Sequence, residues 1–317
     1  MDFRDIKNKI LISVIVGITI FTILSIYSDF YEISKIFFSF NYKYLPVILI
    51  LAPLNYCFRY IKWNYYLKKV NIHINIIDNI LIFVSALSMT VTPGKVGELL
   101  KSYLLKEKYN IPISKTAPIV ITERITDGIS MIILASSGAL IYDYGKNVLL
   151  FISIFMIVII YLTQSPKIIN TMIKLLGKIK LFEKYLESFK VFYKSAYVLF
   201  RIKPLLFAIL IGIISWSFEG IIIYLTLSAM GINISILASI FIVSFSSIIG
   251  AVSMLPGGLL AVEGSIFGLL LLMGISKDVA TITTIITRFS TLWLGVLTGI
   301  IALFFIQKYF FIERKTD

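Results

Sequence analysis

The sequence predicts an all-α, polytopic integral membrane protein built as a single transmembrane domain over residues 1–317. Three observations carry this. Apolar residues make up 58% of the 317 and charged residues 15%, whereas soluble domains sit near ~45–50% and ~25%. Mean hydropathy is +0.94. Charge-free runs at 10–28, 147–166 and 289–307 approach or reach the ~18–20 residues a membrane-crossing helix needs. These runs lack the strict alternation of barrel strands. A soluble enzyme, a nucleic-acid partner and a disordered chain are excluded. One cysteine, Cys57, rules out an intrachain disulfide framework, and one histidine, His73, rules out a histidine-rich metal site. No cofactor is expected.

The elements follow from the placement of charge. Net charge is +13. The N-terminal stub, Arg59 to Lys69, residues 95–115, residues 165–203 and the C-terminal tail are each net positive; 29–43, 143–146 and 277–278 are neutral. Positive segments stay cytoplasmic, which puts both termini inside a multi-pass protein of the cell (plasma) membrane. Six spanning helices result. The run 10–28 goes outward (too long for a signal h-region and lacking a small-residue cleavage site) and 44–60 returns. Helix 114–142 goes out and 147–164 comes back; 204–230 goes out and 279–306 comes back. Two apolar stretches, 78–106 and 237–273, begin and end on one side. Each has a breaker near its middle: Thr92-Pro93-Gly94 and Pro256-Gly257-Gly258. They read as re-entrant hairpins, since irregular backbone at membrane depth must be buried in protein or line a cavity. Segment 165–203, with nine basic and two acidic residues, has apolar residues at three- and four-residue steps. It reads as a basic amphipathic interfacial helix on anionic headgroups. Segment 59–75 reads as a shorter version, with Tyr60, Trp63, Tyr65 and Tyr66 as an aromatic belt.

The two halves repeat. Pro93-Gly94, Glu98 and Ile121-Thr122-Glu123-Arg124 are answered by Pro256-Gly257, Glu263 and Ile285-Ile286-Thr287-Arg288 at nearly equal spacing. The chain therefore reads as an inverted repeat of helix, helix, re-entrant hairpin, helix. Repeat one covers 10–142, repeat two 147–306, and 165–203 is an interfacial linker. Inverted repeats with broken helices near the midplane mark transporters, and the breaks point to the site.

The stretches VTPGKVGELLKSYLL and APIVITERITDGIS, then LPGGLLAVEGSIFGLLL and ITRFSTLWLGVLTG, resemble the transmembrane region of lysylphosphatidylglycerol synthases, also called the flippase-like domain family. The resemblance covers about 10–306. Bifunctional members carry a soluble aminoacyltransferase domain after this region, whereas this chain ends at Asp317. The resemblance implies lipid translocation and argues against lipid aminoacylation.

The candidate substrate-binding residues cluster at the breaks. Thr92 reads as an N-cap with Pro93 at the first helical position, so the half-helix amides and Lys95 would cradle an anion; alternatively Lys95 pairs with Glu98. Gly94 and Gly97 permit close approach of a ligand or of a neighbouring helix. Lys101 reads as an entry-side phosphate contact or an ordinary positive-inside residue. Glu123, Arg124 and Asp127 share one stretch of a membrane helix and must face protein or water. Arg124 would hold a phosphate bidentately, or pair with Asp127 or Glu98. In the second half Pro256, Gly257 and Gly258 precede Glu263, the repeat-related partner for Arg288. Glu219 and Glu263 are candidates for proton coupling, the alternative being a neutral, hydrogen-bonded Glu. The expected function is translocation of an anionic phospholipid or lipid-linked phosphate. Alternatives are a secondary transporter of a small anionic solute and, disfavoured for want of a carboxylate pair, histidine or thiol, a membrane-embedded lipid enzyme. Expected partners are lipids with anionic headgroups, with a second copy of the chain and a separate lipid-modifying enzyme left open.

Overall fold

A computed structural model describes residues 19, 30–142, 146–178 and 183–312. The expected helix 10–28, apart from Thr19, and both chain ends lie outside these. Regular structure among the described residues is helical: α1 (Phe30–Ser39), α2 (Leu45–Lys69), α3 (Ile76–Leu87), α4 (Leu100–Tyr109), α5 (Ile113–Tyr142), α6 (Lys146–Gln164), α7 (Pro166–Gly177), α8 (Leu186–Leu199), α9 (Ile202–Ala229), α10 (Ile236–Val252), α11 (Ala261–Leu272), α12 (Lys277–Arg288) and α13 (Leu294–Ile312). A π turn, Phe289–Trp293, joins α12 to α13.

Among the described residues four stretches are long and apolar enough to cross a membrane: Tyr42–Lys69, Lys146–Gln164, Ile202–Ala229 and Lys277–Ile306. They coincide with four of the expected spans. The expected span 114–142 forms as α5, a helix of 30 residues that carries Glu123, Arg124 and Asp127. Helix α6 buries little of itself and turns Phe151, Ile157 and Tyr161 outward. A helix apolar all round and barely packed on its neighbours suits hydrocarbon as its solvent.

Both breakers produce helix–turn–helix hairpins. In the first, Asn75 caps α3 by accepting from the Ile77 amide (2.9 Å). The chain turns through 88–99 and returns as α4. Asp78 at the start of α3 is tied to Lys108 (2.9 Å) and Tyr109 at the end of α4, which closes the open end. In the second, Ser235 caps α10 by accepting from the Ala238 amide (3.0 Å), and α11 returns after the turn 253–260. The two turns touch, with Pro93 and Pro256 forming an isolated antiparallel bridge. Around them, α3 packs on α13, α10 on α5, and α2 on α9. Two glycines make these crossings close. A Cβ on Gly299 would lie 2.2 Å from the Ser88 amide nitrogen, and one on Gly138 would lie 2.2 Å from Phe241 Cβ.

Two sequence expectations fail. Segment 59–75 is not interfacial: α2 runs on to Lys69 and takes Arg59, Lys62, Trp63 and Tyr66 into the protein core. The basic side chains are buried because carboxylates from α5 and the first hairpin meet them there. Linker 165–203 is not one helix. α7 ends at Gly177, a turn falls at Lys184–Tyr185, and α8 packs on α5 with Ser195, Ala196 and Leu199 buried.

Candidate functional site

The first turn does not start a helix at Pro93. Thr90 and Thr92 hydroxyls donate back to the Leu87 and Met89 carbonyls (2.8 and 2.7 Å). Gly94 and Lys95 both take left-handed backbone (φ 56°), and helical residues resume at Val96. Thr92 Oγ1 accepts from the Gly97 amide (2.8 Å). The amides of Lys95, Val96 and Glu98 donate to the carbonyls of Thr92, Pro93 and Lys95 (2.9, 3.2 and 3.0 Å). All four amides are spent inside the turn, so the expected amide cradle for an anion is not there. Gly97 is a packing requirement, since a Cβ would sit 2.7 Å from the Thr92 side chain. A non-glycine residue in the left-handed region costs about 1–2 kcal/mol. At Lys95 that conformation accompanies an ammonium that lines the cavity, 5.4 Å from the centre of the Trp216 ring. Lys95 does not pair with Glu98; no carboxylate among the described residues lies within 4.0 Å of it.

Behind the turn lies a buried charge cluster. Arg59 reaches Glu98 (3.4 Å) and Lys62 reaches Asp127. Lys101 bonds Glu123 and lies 3.9 Å from Glu98, its ammonium 4.4 Å from the Trp63 ring centre. Arg124 lies 3.0 Å from Asp127 and 3.4 Å from Glu98. Both structural pairings weighed for Arg124 from sequence therefore occur together. Lys101 is fully buried and is not an entry-side contact. Arg124, with 20% of its side chain exposed, looks outward from the cluster. In the second half Arg288 Nε bonds Glu263 Oε1 (2.6 Å) and Nη2 donates to the Gly257 carbonyl (2.9 Å). The repeat-related partner is the one found. Glu219 accepts from Asn55 Nδ2 (3.2 Å).

Between the two turns lies a cavity of about 220 Å³, room for a few waters at ~30 Å³ each. Its charged wall is Arg59, Lys95, Arg124 and Arg288 against Asp127 and Glu219; Gly94, Gly257 and Gly258 bring backbone to it. Pro93 and Pro256 form the contact between the turns. Gly97, Glu98, Lys101, Glu123 and Glu263 stand outside the lining. Arg59 Nε and Arg124 Nε are buried donors with no hydrogen-bond acceptor among the described residues. An unmet buried donor costs about 1–3 kcal/mol, so these groups favour an acceptor brought from outside.

Arg59, Lys62, Tyr56, Asn55 and Trp216 were not anticipated. Charge counting had assigned Arg59 and Lys62 to a cytoplasmic segment. The overlooked signal is spacing: Asn55, Arg59, Lys62 and Tyr66 fall three and four apart, on one helical face. Tyr56, one residue along, links α2 to the second half: its hydroxyl donates to the Thr291 carbonyl (2.7 Å) in the π turn that follows Arg288.

The family model described as the lysylphosphatidylglycerol synthase TM region matches residues 14–299. The chain belongs to that family. It is similar to a UPF0104 membrane protein of Methanocaldococcus jannaschii, 27% identical over 231 residues, which cover 72% of this chain and 97% of the relative. A UPF0104 membrane protein of Pyrococcus horikoshii is 21% identical over 314 residues, covering 90% of this chain and 94% of its own. With four long apolar helices among its described residues, this family member is a multi-pass helical membrane protein.

Proposed function

We propose that the chain moves an anionic phospholipid or lipid-linked phosphate between leaflets, the headgroup passing between the two hairpin turns while the tails stay in the bilayer. The observation that carries this reading is the imbalance on the cavity wall. Among the described residues four cations stand against two carboxylates, Lys95 has no ion pair, and the Nε–H groups of Arg59 and Arg124 lack acceptors. A phosphate supplies several acceptors and negative charge at once, and guanidinium forks match it. A lipid is favoured over a small soluble anion by the second turn. Met254 and Leu255 line the cavity, yet are 62% and 39% exposed, so the wall there continues to the outer surface as apolar side chains. On this reading the chain is a transporter and performs no covalent chemistry.

The inverted repeat belongs to the same proposal: copies 10–142 and 147–306 of opposite orientation, hairpins re-entering from opposite faces, and both termini with 165–203 cytoplasmic. Three features support it. Partners are exchanged, α3 with α13 and α10 with α5. Glu98–Arg124 is matched by Glu263–Arg288. The equivalent prolines touch. The test is purified protein in liposomes carrying fluorescent phosphatidylglycerol. Faster transbilayer movement than in protein-free vesicles is expected, slowed by Lys95→Gln at unchanged melting temperature. No acceleration for any anionic headgroup in a panel would end the lipid reading, and uptake of glycerol phosphate instead would replace it with the soluble-anion reading.

A further inference from the structure

We propose that Glu219 and Asn55 form a site for a monovalent cation, H⁺ or Na⁺, whose uptake accompanies binding of the anionic headgroup. This inference rests on the anion reading of the cavity. Helix α9 brings Glu219 to the cavity wall. Of the two carboxylates on that wall, Asp127 is held by Lys62 and by Arg124 at 3.0 Å. No basic group among the described residues lies within 4.0 Å of Glu219, whose hydrogen bond comes from the neutral amide of Asn55 (3.2 Å). The same Asn55 nitrogen donates to the Ser215 carbonyl (2.8 Å), which fixes the amide. Its Oδ1 is then left fully buried with no donor. A carboxylate beside an orphaned amide oxygen is a set of hard oxygen ligands without its cation.

The surroundings make such a cation consequential. Facing Glu219 are Lys95 from the first turn, Arg59 and Tyr56 from α2, Asp127 from α5 and Arg288 from α12. An anion entering among Lys95, Arg59 and Arg288 meets the negative charge of Glu219 at close range. Neutralising that carboxylate with a cation removes the repulsion and leaves the wall one charge more positive. Binding of cation and of anion therefore reinforce each other, and the coupling is reciprocal. A singly charged headgroup would cross together with one positive charge, as an electroneutral unit.

The test uses the full chain in detergent micelles, with short-chain phosphatidylglycerol titrated calorimetrically. Buffers of different ionisation enthalpy count protons, and sodium is compared with choline chloride at equal ionic strength. Wild-type protein is expected to take up about one proton per lipid, its affinity falling up to ~10-fold per pH unit, or to bind roughly 10-fold tighter in sodium. The first outcome identifies H⁺ and the second Na⁺. Glu219→Gln, permanently neutral, should bind tightly with no dependence on pH or sodium. Asn55→Ala, which keeps the carboxylate, should weaken the dependence. Wild-type affinity indifferent to both cations, or an undiminished dependence in Glu219→Gln, overturns the site. If neither protein binds the lipid, the lipid reading has failed by itself, and the cation site is judged on lipid-free protein. A rise in melting temperature on acidification or sodium addition that is lost in Glu219→Gln upholds the site, and its retention overturns it.

Discussion

Lys101 and Glu123 are each 1% exposed, bonded to each other, and absent from the cavity wall. Substituting Lys101→Met keeps length and apolar volume but leaves Glu123 as a buried carboxylate without its cation. Breaking one partner of such a pair costs about 3–5 kcal/mol. Loss of the ammonium over the Trp63 ring, 4.4 Å away, adds up to ~2 kcal/mol when desolvated. The contact with Glu98 at 3.9 Å adds little, because Glu98 keeps Arg59 and Arg124. Replacing both partners, Lys101→Met with Glu123→Leu, removes both charges together and should return stability to near wild type or above. The coupling energy of this cycle should then exceed ~3 kcal/mol, well beyond the ~0.3–0.5 kcal/mol error of additivity. Reversible unfolding in mixed micelles measures it, and liposome transport on the same preparations should be unchanged in the double variant. A Lys101→Met protein as stable as wild type would refute the buried pair. A well-folded double variant without transport would put these residues on the substrate path.

Arg124 and Arg288, equivalent in the repeat, should separate. Arg124→Lys should keep the wild-type melting temperature and lose transport, because a point charge does not replace a planar fork. Arg288→Gln orphans buried Glu263 and the Gly257 carbonyl, so it should lose about 3–5 kcal/mol and express poorly; normal melting of that variant would contradict the pairing. Gly299→Ala and Gly138→Ala should each lower the melting temperature, because the added Cβ meets the Ser88 amide nitrogen in one and Phe241 Cβ, held in place by its own backbone, in the other, 2.2 Å away in both cases; a wild-type melt for either would contradict that close crossing. In a Cys57→Ser background, cysteine at Lys178 should resist a membrane-impermeant thiol reagent in intact cells, and labelling there would overturn the assigned orientation.

Much of the architecture was written in hydropathy and in punctuation. Apolar runs set between charged segments marked the four spans found among the described residues, and Pro-Gly pairs inside apolar stretches marked both hairpins, because a breaker within a membrane-length run has few other physical uses. Glu263 with Arg288 was legible because a lone arginine mid-helix must find a carboxylate. What misled was treating every basic cluster as a loop. Arg59 and Lys62 carry the same charge as Lys68 and Lys69 and sit in the same helix. Their spacing sets Arg59 and Lys62 on one face with Asn55 and Tyr66, and contacts with Glu98 and Asp127 make that face core. The turn at Pro93 was misread for a related reason. Thr-Pro-Gly favours a helix start locally, but the turn closes its own hydrogen bonds with Gly94 and Lys95 in the left-handed region, and the helix is deferred to Val96.

The charges on α2 also bear on how the chain is made. Arg59 and Lys62 emerge from the ribosome well before the carboxylates that answer them, Glu98 coming 39 residues and Asp127 65 residues later. On insertion scales a lone basic residue at a helix centre opposes entry into the bilayer by about 2.5–3.5 kcal/mol. With two such residues in its C-terminal half, α2 is a poor solitary client of the translocon. It gains full membrane compatibility only once the first hairpin and α5 stand beside it. Synthesis order and integration order are therefore expected to differ for α2, whose basic residues find their carboxylates only after the first hairpin and α5 are made.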